Sequence, residues 1–493
     1  MFSPQSIPME QLNANNNTTF ENNQAYRTSS LSDNDDEVMN TNLTNDNIVY
    51  EAEDINLNNS SSPSESNISY CGLKINSVLS SVLNICSAAI GAGVLTFPYI
   101  ISTLGIFNTI FIFILVAGCI YHTLNLLRSF VVDTKYFSYS LMTEKTLGKK
   151  WLMVYSFSSF IYYLSVNLNY LSLLYSIFKS SFVAHSSFYG YIFLLVTCSI
   201  EIFLCLYTSK ASNLNLLSLI TMFSFTIIVF VTIYNGINSS VEGDYFANKF
   251  SKQNLFNPLE NQNTFTRFFS SITAIIKFIY AYSYHCSFPT LIGNLKNVND
   301  SNSKKVHNIS FIIISVTYLL VAFFGYIIAE NVPTVLFREY EDSNKKDSFT
   351  IFIKIILFFF FFSLIPNRYI IIRDGYTSLI GKDKLTYKKD LLITTLGLIF
   401  SNGFVFLNEE LFVEDGNIEI DIFSIMVYMF GGIFGVIISF LLPVINYAAV
   451  NGKRKIKSII GYIISGGFLF VGVLSFGYSI YEMIPPNKEE EQE

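Results

Sequence analysis

The sequence predicts an all-α polytopic membrane protein of about eleven transmembrane helices, and three observations predict it. Charged residues make up only 14% of the 493, against roughly 25% in soluble domains, while 51% are hydrophobic and 16% aromatic. Eleven stretches approach the roughly 20 apolar residues needed to cross a hydrocarbon core of about 30 Å. Lysine and arginine, finally, collect in alternate connections between those stretches, as they do in cytoplasmic loops.

The stretches run over about 78–104, 106–127, 152–177, 188–207, 214–237, 268–292, 311–329, 349–372, 391–407, 422–450 and 459–481. Connections after the second, sixth, eighth and tenth carry Arg128, Lys135 and Lys145, then Lys296, Lys304 and Lys305, then Arg373, Lys382 and Lys384, then Lys453 and Arg454. The connection after the ninth, "NEELFVEDGNIEID", has six carboxylates and no base. This alternation puts the amino terminus in the cytoplasm and the carboxyl terminus outside or in a lumen. A plasma membrane and a vacuolar or lysosomal membrane fit equally.

Ahead of the first span, residues 1–73 hold eleven acidic residues against Arg27 alone, so the membrane body is net positive although the whole chain is −6. This tail, rich in Asn, Ser and Asp, has too few large apolar groups to offset its ordering entropy. It is expected to be a disordered cytoplasmic segment, open to a cytosolic regulator. It shows no apolar signal-peptide core, so the first span is its own insertion signal. The transporter-like body then extends over 74–482, with spans 1–5 at about 78–237, spans 6–10 at about 266–450 and span 11 at about 459–481, followed by a short acidic tail, 483–493.

Several classes of function find no support. There is no GxxxxGK[ST] phosphate loop, no metal-ligand cluster, no nucleophile elbow and no paired intramembrane carboxylates. The chain is therefore not expected to be an enzyme, to bind nucleic acid, or to hold a metal or cofactor. Of the six cysteines, all but Cys71 lie in apolar stretches and read as small hydrophobes.

The informative feature is the first span. "NICSAAIGAGVLTFPYI" places Gly91, Gly93 and Pro98 in the middle of an apolar run. Gly91 lies about 13 residues in, roughly 20 Å along the helix and near the midplane. Inside lipid, irregular backbone persists only where it is buried in protein or lines a cavity. Small residues also serve plain helix packing, so glycines alone leave the point open. A second interruption decides it: "KFIYAYSYHCSFPTLIGNL", in the sixth span, carries Ser283, His285, Ser287 and Pro289. Two interrupted helices five spans apart are the sign of an inverted 5+5 repeat with its site at the repeat interface.

On those residues the chain resembles the amino acid/auxin permease family, of the amino acid-polyamine-organocation superfamily. "SSVLNICSAAIGAGVLTFPYIISTLG" is similar to the family's first helix and "IYAYSYHCSFPTLIGNLK" to its sixth. "MFGGIFGVIISFLLPVINY" is similar to its tenth, and "SLIPNRYIIIRDGYTSLI" is a looser match to its eighth. The resemblance implies a leucine-transporter-like fold with one helix added, and secondary transport of amino acids by alternating access.

It further implies that the substrate's charged ends meet the backbone of Ala89, Ile90, Gly91, Ala92 and Gly93, and that Tyr280, Tyr282, Ser283 and Tyr284 line its side chain. The tyrosines favour neutral, large apolar or aromatic amino acids. For ion or proton coupling the candidates are Ser87, His285 and Ser363, with His285 taken as the one histidine deep in a span. Sodium-driven relatives carry asparagine at Ser87 and threonine at the neighbour of Ser363, so a proton, or no coupling ion, leads over sodium. A sodium-coupled symporter and an amino acid sensor signalling through its tail are the alternatives.

Overall fold

The computed structural model describes residues 69–70, 73–74, 77–182, 187–207, 211–239, 249–251, 255–256, 263–328, 332–336, 348–380, 387–411, 427–452 and 455–482. Most of the acidic tail and all of 483–493 lie outside the described residues. Ser69–Tyr70 pairs antiparallel with Leu73–Lys74; the rest is helical.

Ser77 starts the first helix, α1 (Val78–Ala89), its hydroxyl accepting from the Ser80 amide at 3.2 Å, which satisfies one amide of the first turn. The helix stops at Ile90, whose backbone is extended, and Gly91 continues extended. A tight turn over Ala92–Thr96 leads to α2 (Phe97–Leu104), bent 54° away from α1. Pro98 does not make the break. It sits in the first turn of α2, where its missing amide is not needed, and the Val94 carbonyl accepts from the Phe97 amide instead.

Gly105, at φ 82°, turns the chain into α3 (Ile106–Thr134), a left-handed backbone that favours glycine. The connection that follows contains a helix the sequence reading left as loop, α4 (Tyr139–Leu147), capped by Ser138. Then come α5 (Lys149–Phe182), α6 (Ser187–Tyr207) and α7 (Ala211–Ser239). The sixth span is α8 (Thr264–Ala281), an irregular stretch, and α9 (Phe288–Gly293) with Pro289 in its first turn. Beyond it lie α10 (Asp300–Ile328), α11 (Ser348–Ile380) and α12 (Tyr387–Leu411). The tenth span winds in wide π turns over Val427–Gly435 and Ile437–Leu441 before α13 (Leu442–Asn451), and α14 (Ile456–Glu482) ends the described chain.

Among the described residues the expected spans fall on helices or broken pairs, the tenth on the π turns and α13, with 422–426 outside the described residues. Six stretches among the described residues are long and apolar enough to cross a bilayer unaided: α3, α10, α11 and residues Leu216–Ser239, Phe430–Asn451 and Ile456–Tyr481. The bent pair α1 and α2 makes a seventh. The helix α5 falls short because it is polar, with Ser156, Ser159, Ser165, Asn167 and Asn169 along its length, and all of these are buried. Its neighbours are α11, α4, α12 and the π turns. Apolar side chains instead face outward on the peripheral helices, as with Phe111 and Ile114 of α3, Leu396 and Phe400 of α12, and Ile463 and Phe470 of α14. This is the inverse of a soluble protein and the expected arrangement in lipid.

Two polar ties fix the other ends. Arg128 of α3 donates to the Asp300 carboxylate at 2.7 Å and to Ser303 at 3.1 Å, joining α3 to the start of α10. On α4, Tyr139 donates to the Ile438 carbonyl at 3.0 Å and Thr146 to Asn446 at 2.6 Å. The irregular tenth span is thereby held from its side.

The π turns and α14 touch backbone to backbone. The carbonyl oxygen of Gly472 would lie 3.1 Å from a Cβ at Gly432, and a Cβ at Gly472 would fall on the Gly432 carbonyl. Gly472→Val should lower stability by about 1–3 kcal/mol through overpacking, read as a drop in Tm of the detergent-solubilised protein. Gly477→Val, with nothing within 4 Å of the added carbon, should leave the Tm unchanged.

Candidate substrate site at the paired helix breaks

Ending a helix orphans its last carbonyls, and in the membrane interior water is not there to take them. The two breaks meet this in the same way. The Ala89 carbonyl, at the end of α1, accepts from the Tyr318 hydroxyl of α10 at 3.0 Å. The Ala281 carbonyl, at the end of α8, accepts from the same hydroxyl at 2.8 Å. One side chain thus bridges both half-helix ends. From the opposite side, α5 supplies Tyr162 to the Tyr280 carbonyl at 3.3 Å and Tyr163 to the Ser283 carbonyl at 3.1 Å. Arg368 of α11 reaches the Ile90 carbonyl at 3.5 Å.

The two breaks lie against each other. A Cβ at Gly93 would stand 3.0 Å from Ala281 and 3.2 Å from the Tyr280 ring, and one at Gly91 would land on the Tyr170 hydroxyl. Glycine is required at both places by close approach. The turn that begins at Ala92 has no side-chain cap, so its first amides face the break with the positive end of a half-helix behind them. Gly93 has its carbonyl satisfied by the Thr96 hydroxyl at 2.8 Å.

Ala89, Ile90, Gly91, Ala92 and Gly93 are all buried at this junction. The three tyrosines expected around the substrate are buried too, but they do not form one wall. The Tyr280 hydroxyl accepts from Asn169 at 2.9 Å, with its ring edge-on to Tyr162. Tyr282 donates to Ser315 at 2.8 Å and stacks on Phe311, on the α10 side. Tyr284 is the one whose hydroxyl has no partner among the described residues. Ser283 donates to the Ile279 carbonyl at 3.0 Å and pairs with Ser439 of the tenth span at 2.9 Å.

The expected coupling residues are not brought into one cluster by their hydrogen bonds. Ser363 pairs with Thr221 of α7 at 2.8 Å, whereas the Ser87 hydroxyl has no partner among the described residues. His285 lies 3.2 Å by its Nε2 from the Thr123 hydroxyl. Since that hydroxyl donates to the Ile120 carbonyl at 3.1 Å, Nε2 is assigned as the donor to it, and Nδ1 keeps a lone pair with no partner.

His285 is also not the one deep histidine. Because α10 begins at Asp300 rather than near 311, His307 lies two turns inside it, fully buried, stacked on Tyr121 at 4.8 Å and edge-on to Phe288. The sequence reading likewise passed over Tyr318 and Arg368. For Tyr318 no local signal exists. For Arg368 there was one, an arginine four residues inside the expected boundary of the eighth span.

Two discontinuous helices whose ends meet at one buried junction are the arrangement of a transporter of the leucine-transporter-like fold. A family model for transmembrane amino acid transporter proteins matches residues 74–485, and the chain belongs to that family. It is 31% identical over 157 residues to "Putative amino acid transporter AAT1" of Plasmodium falciparum (isolate 3D7), a match over 30% of this chain and 25% of that one. The matched stretch is thus a quarter of that relative's length.

Two solved structures share the fold. One is the substrate-bound outward-open state of a Na+-coupled sialic acid symporter, at TM-score 0.51 and 12% identity over 81% of this chain and 89% of that one. The other is the Eremococcus coleocola manganese transporter in complex with an aromatic bis-isothiourea substituted compound, at TM-score 0.54 and 10% identity over 84% and 89%. Identities this low speak for the fold alone.

The contact at Gly91 gives a direct test of the break. Gly91→Ala should cut transport at least tenfold by displacing the Tyr170 hydroxyl. Adding Tyr170→Phe should restore part of it, since the next ring atom is 3.3 Å from the new carbon. Initial uptake rates of the two single variants and the double variant, normalised to protein inserted, give the coupling between the two positions.

Proposed function

We propose that this protein carries free amino acids across its membrane by alternating access, with the substrate's carboxylate and ammonium seated on the backbone of Ala89 to Gly93. The supporting observation is the junction of two buried half-helix ends, one side offering amides and the other carbonyls. Such ends complement the opposite charges of an amino acid. Substrates with a cationic side chain fit poorly, because Arg368 and Lys277 are both buried in the spans that form the junction. A neutral substrate with a large apolar or aromatic side chain was expected from the tyrosines. Two of those hydroxyls are committed elsewhere, which leaves Tyr284 as the main support for that preference.

For coupling, a proton or no ion is favoured over sodium. Supporting this, Ser87 stands where sodium-driven relatives carry asparagine, and the neighbour of Ser363 is Leu364 where they carry threonine. His285, beside the sixth-span break, has a ring nitrogen available to take a proton. The charge alternation of the loops supports a cytoplasmic amino terminus, in a plasma membrane or a vacuolar or lysosomal one.

The test is uptake by the purified protein in liposomes, with a panel of labelled amino acids under a proton gradient, a sodium gradient or neither. Uptake should respond to the proton gradient or to neither, and not to sodium. Any proton response should be lost in His285→Gln while substrate binding persists. Absence of uptake and exchange under all three conditions would sink the transporter reading.

A further inference from the structure

Arg368 is the costliest side chain in the junction. It is 4% exposed, its Nε has no partner among the described residues, Nη2 makes a long contact of 3.5 Å to the Ile90 carbonyl, and the Tyr170 hydroxyl lies beside the guanidinium. Among the described residues no carboxylate lies within ion-pair distance of Arg368. A buried charge without a counter-ion is strongly destabilising, so an anion that arrives from elsewhere is the natural partner.

The surroundings are built in the same sense. Tyr163, Asn167 and Tyr170 lie at i, i+4 and i+7 on α5 and therefore on one face. The two tyrosines fix where that face points: Tyr163 bonds the Ser283 carbonyl, and Tyr170 stands over Gly91 beside the Arg368 guanidinium. Asn167 lies between them, 1% exposed, with neither its amide nitrogen nor its amide oxygen partnered. A buried guanidinium and a buried carboxamide with unpartnered atoms, beside a buried phenol, are together a set of donors for a carboxylate. The planar fork of arginine suits one in particular.

Net charge then selects the ligand. A neutral amino acid brings one carboxylate and one ammonium, so it leaves the guanidinium uncompensated and sets a second cation near it. An amino acid with an acidic side chain brings a net charge of about −1 that offsets the guanidinium, the favoured arrangement where the dielectric is low. We propose that Arg368, with Tyr170 and Asn167, forms a side-chain carboxylate subsite and that the preferred substrate is an acidic amino acid, aspartate or glutamate. This rests on the transporter reading and replaces the large apolar preference within it.

The experiment uses the full-length protein in liposomes and compares labelled glutamate with its near-isostere glutamine, and aspartate with asparagine. In the native protein the acidic member of each pair should be taken up at least tenfold more efficiently, and unlabelled glutamate should compete at least tenfold better than glutamine. Arg368→Gln should reverse the ratio, and Arg368→Lys should keep its direction with a raised KM. Uptake of glutamine or leucine in which glutamate is neither carried nor competes would overturn the subsite while leaving the transporter standing. That competition needs no variant, so poor folding of Arg368→Gln does not obscure it. Uptake of no amino acid at all would overturn both readings.

Discussion

The structure depends on how the backbone is satisfied at two places where membrane helices stop short. A carbonyl left without a donor in the bilayer interior costs several kcal/mol, so each break needs dedicated partners. Tyr318 provides the central one. Its hydroxyl lies within 3.0 Å of the Ala89 carbonyl and 2.8 Å of the Ala281 carbonyl. Its ring is packed edge-on against Phe97 and Tyr282, one from each broken span. A single phenol thereby sets the distance between the two half-helix ends, and the glycine at 93 lets the chains approach closely enough for that to work.

The same requirement explains which helices are polar. The helix α5 is the clearest case: its tyrosines, serines and asparagines lower its mean hydropathy and supply donors that the broken spans lack. The helices α3, α10, α11 and α14 are apolar enough to be recognised unaided because one face of each meets lipid, even where, as in α10 and α11, another face carries a partner of the breaks.

Much of the architecture was legible for that reason. Gly91, Gly93 and the proline-containing sixth span announced the two breaks, because breaking a membrane helix demands residues of unusual kind in unusual places. What stayed hidden was whatever depends on partners remote in sequence. Tyr318 is an ordinary tyrosine in an apolar run until its hydroxyl is placed between two helix ends. Boundaries hid more. Asp300, Lys304 and Lys305 made the start of α10 look like loop, so His307 was left outside the membrane body. Arg128 was counted as a loop charge, although α3 continues to Thr134 and buries it. At the first break the glycines stand where the helix stops, whereas Pro98, grouped with them in the sequence, initiates the second half.

The hydrogen bonds also divide the junction into a part that can move together and a part that must let go. Tyr318 binds the ends of α1 and α8 to α10, so these three share one set of bonds. Tyr162 and Tyr163 of α5, and Arg368 of α11, reach the same breaks from the other side through single contacts of 3.1 to 3.5 Å. In the proposed mechanism, a motion that opens the junction between these groups would break the second set together with the Asn169–Tyr280 bond. It exposes the carbonyls of Ile90, Tyr280 and Ser283 together with the donors that had held them. Those are the groups an amino acid can satisfy, its ammonium on the carbonyls and its carboxylates on the released hydroxyls and guanidinium. On the proposed reading, substrate and protein would compete for the same bonds, which would make occupancy of the site and its opening parts of one equilibrium.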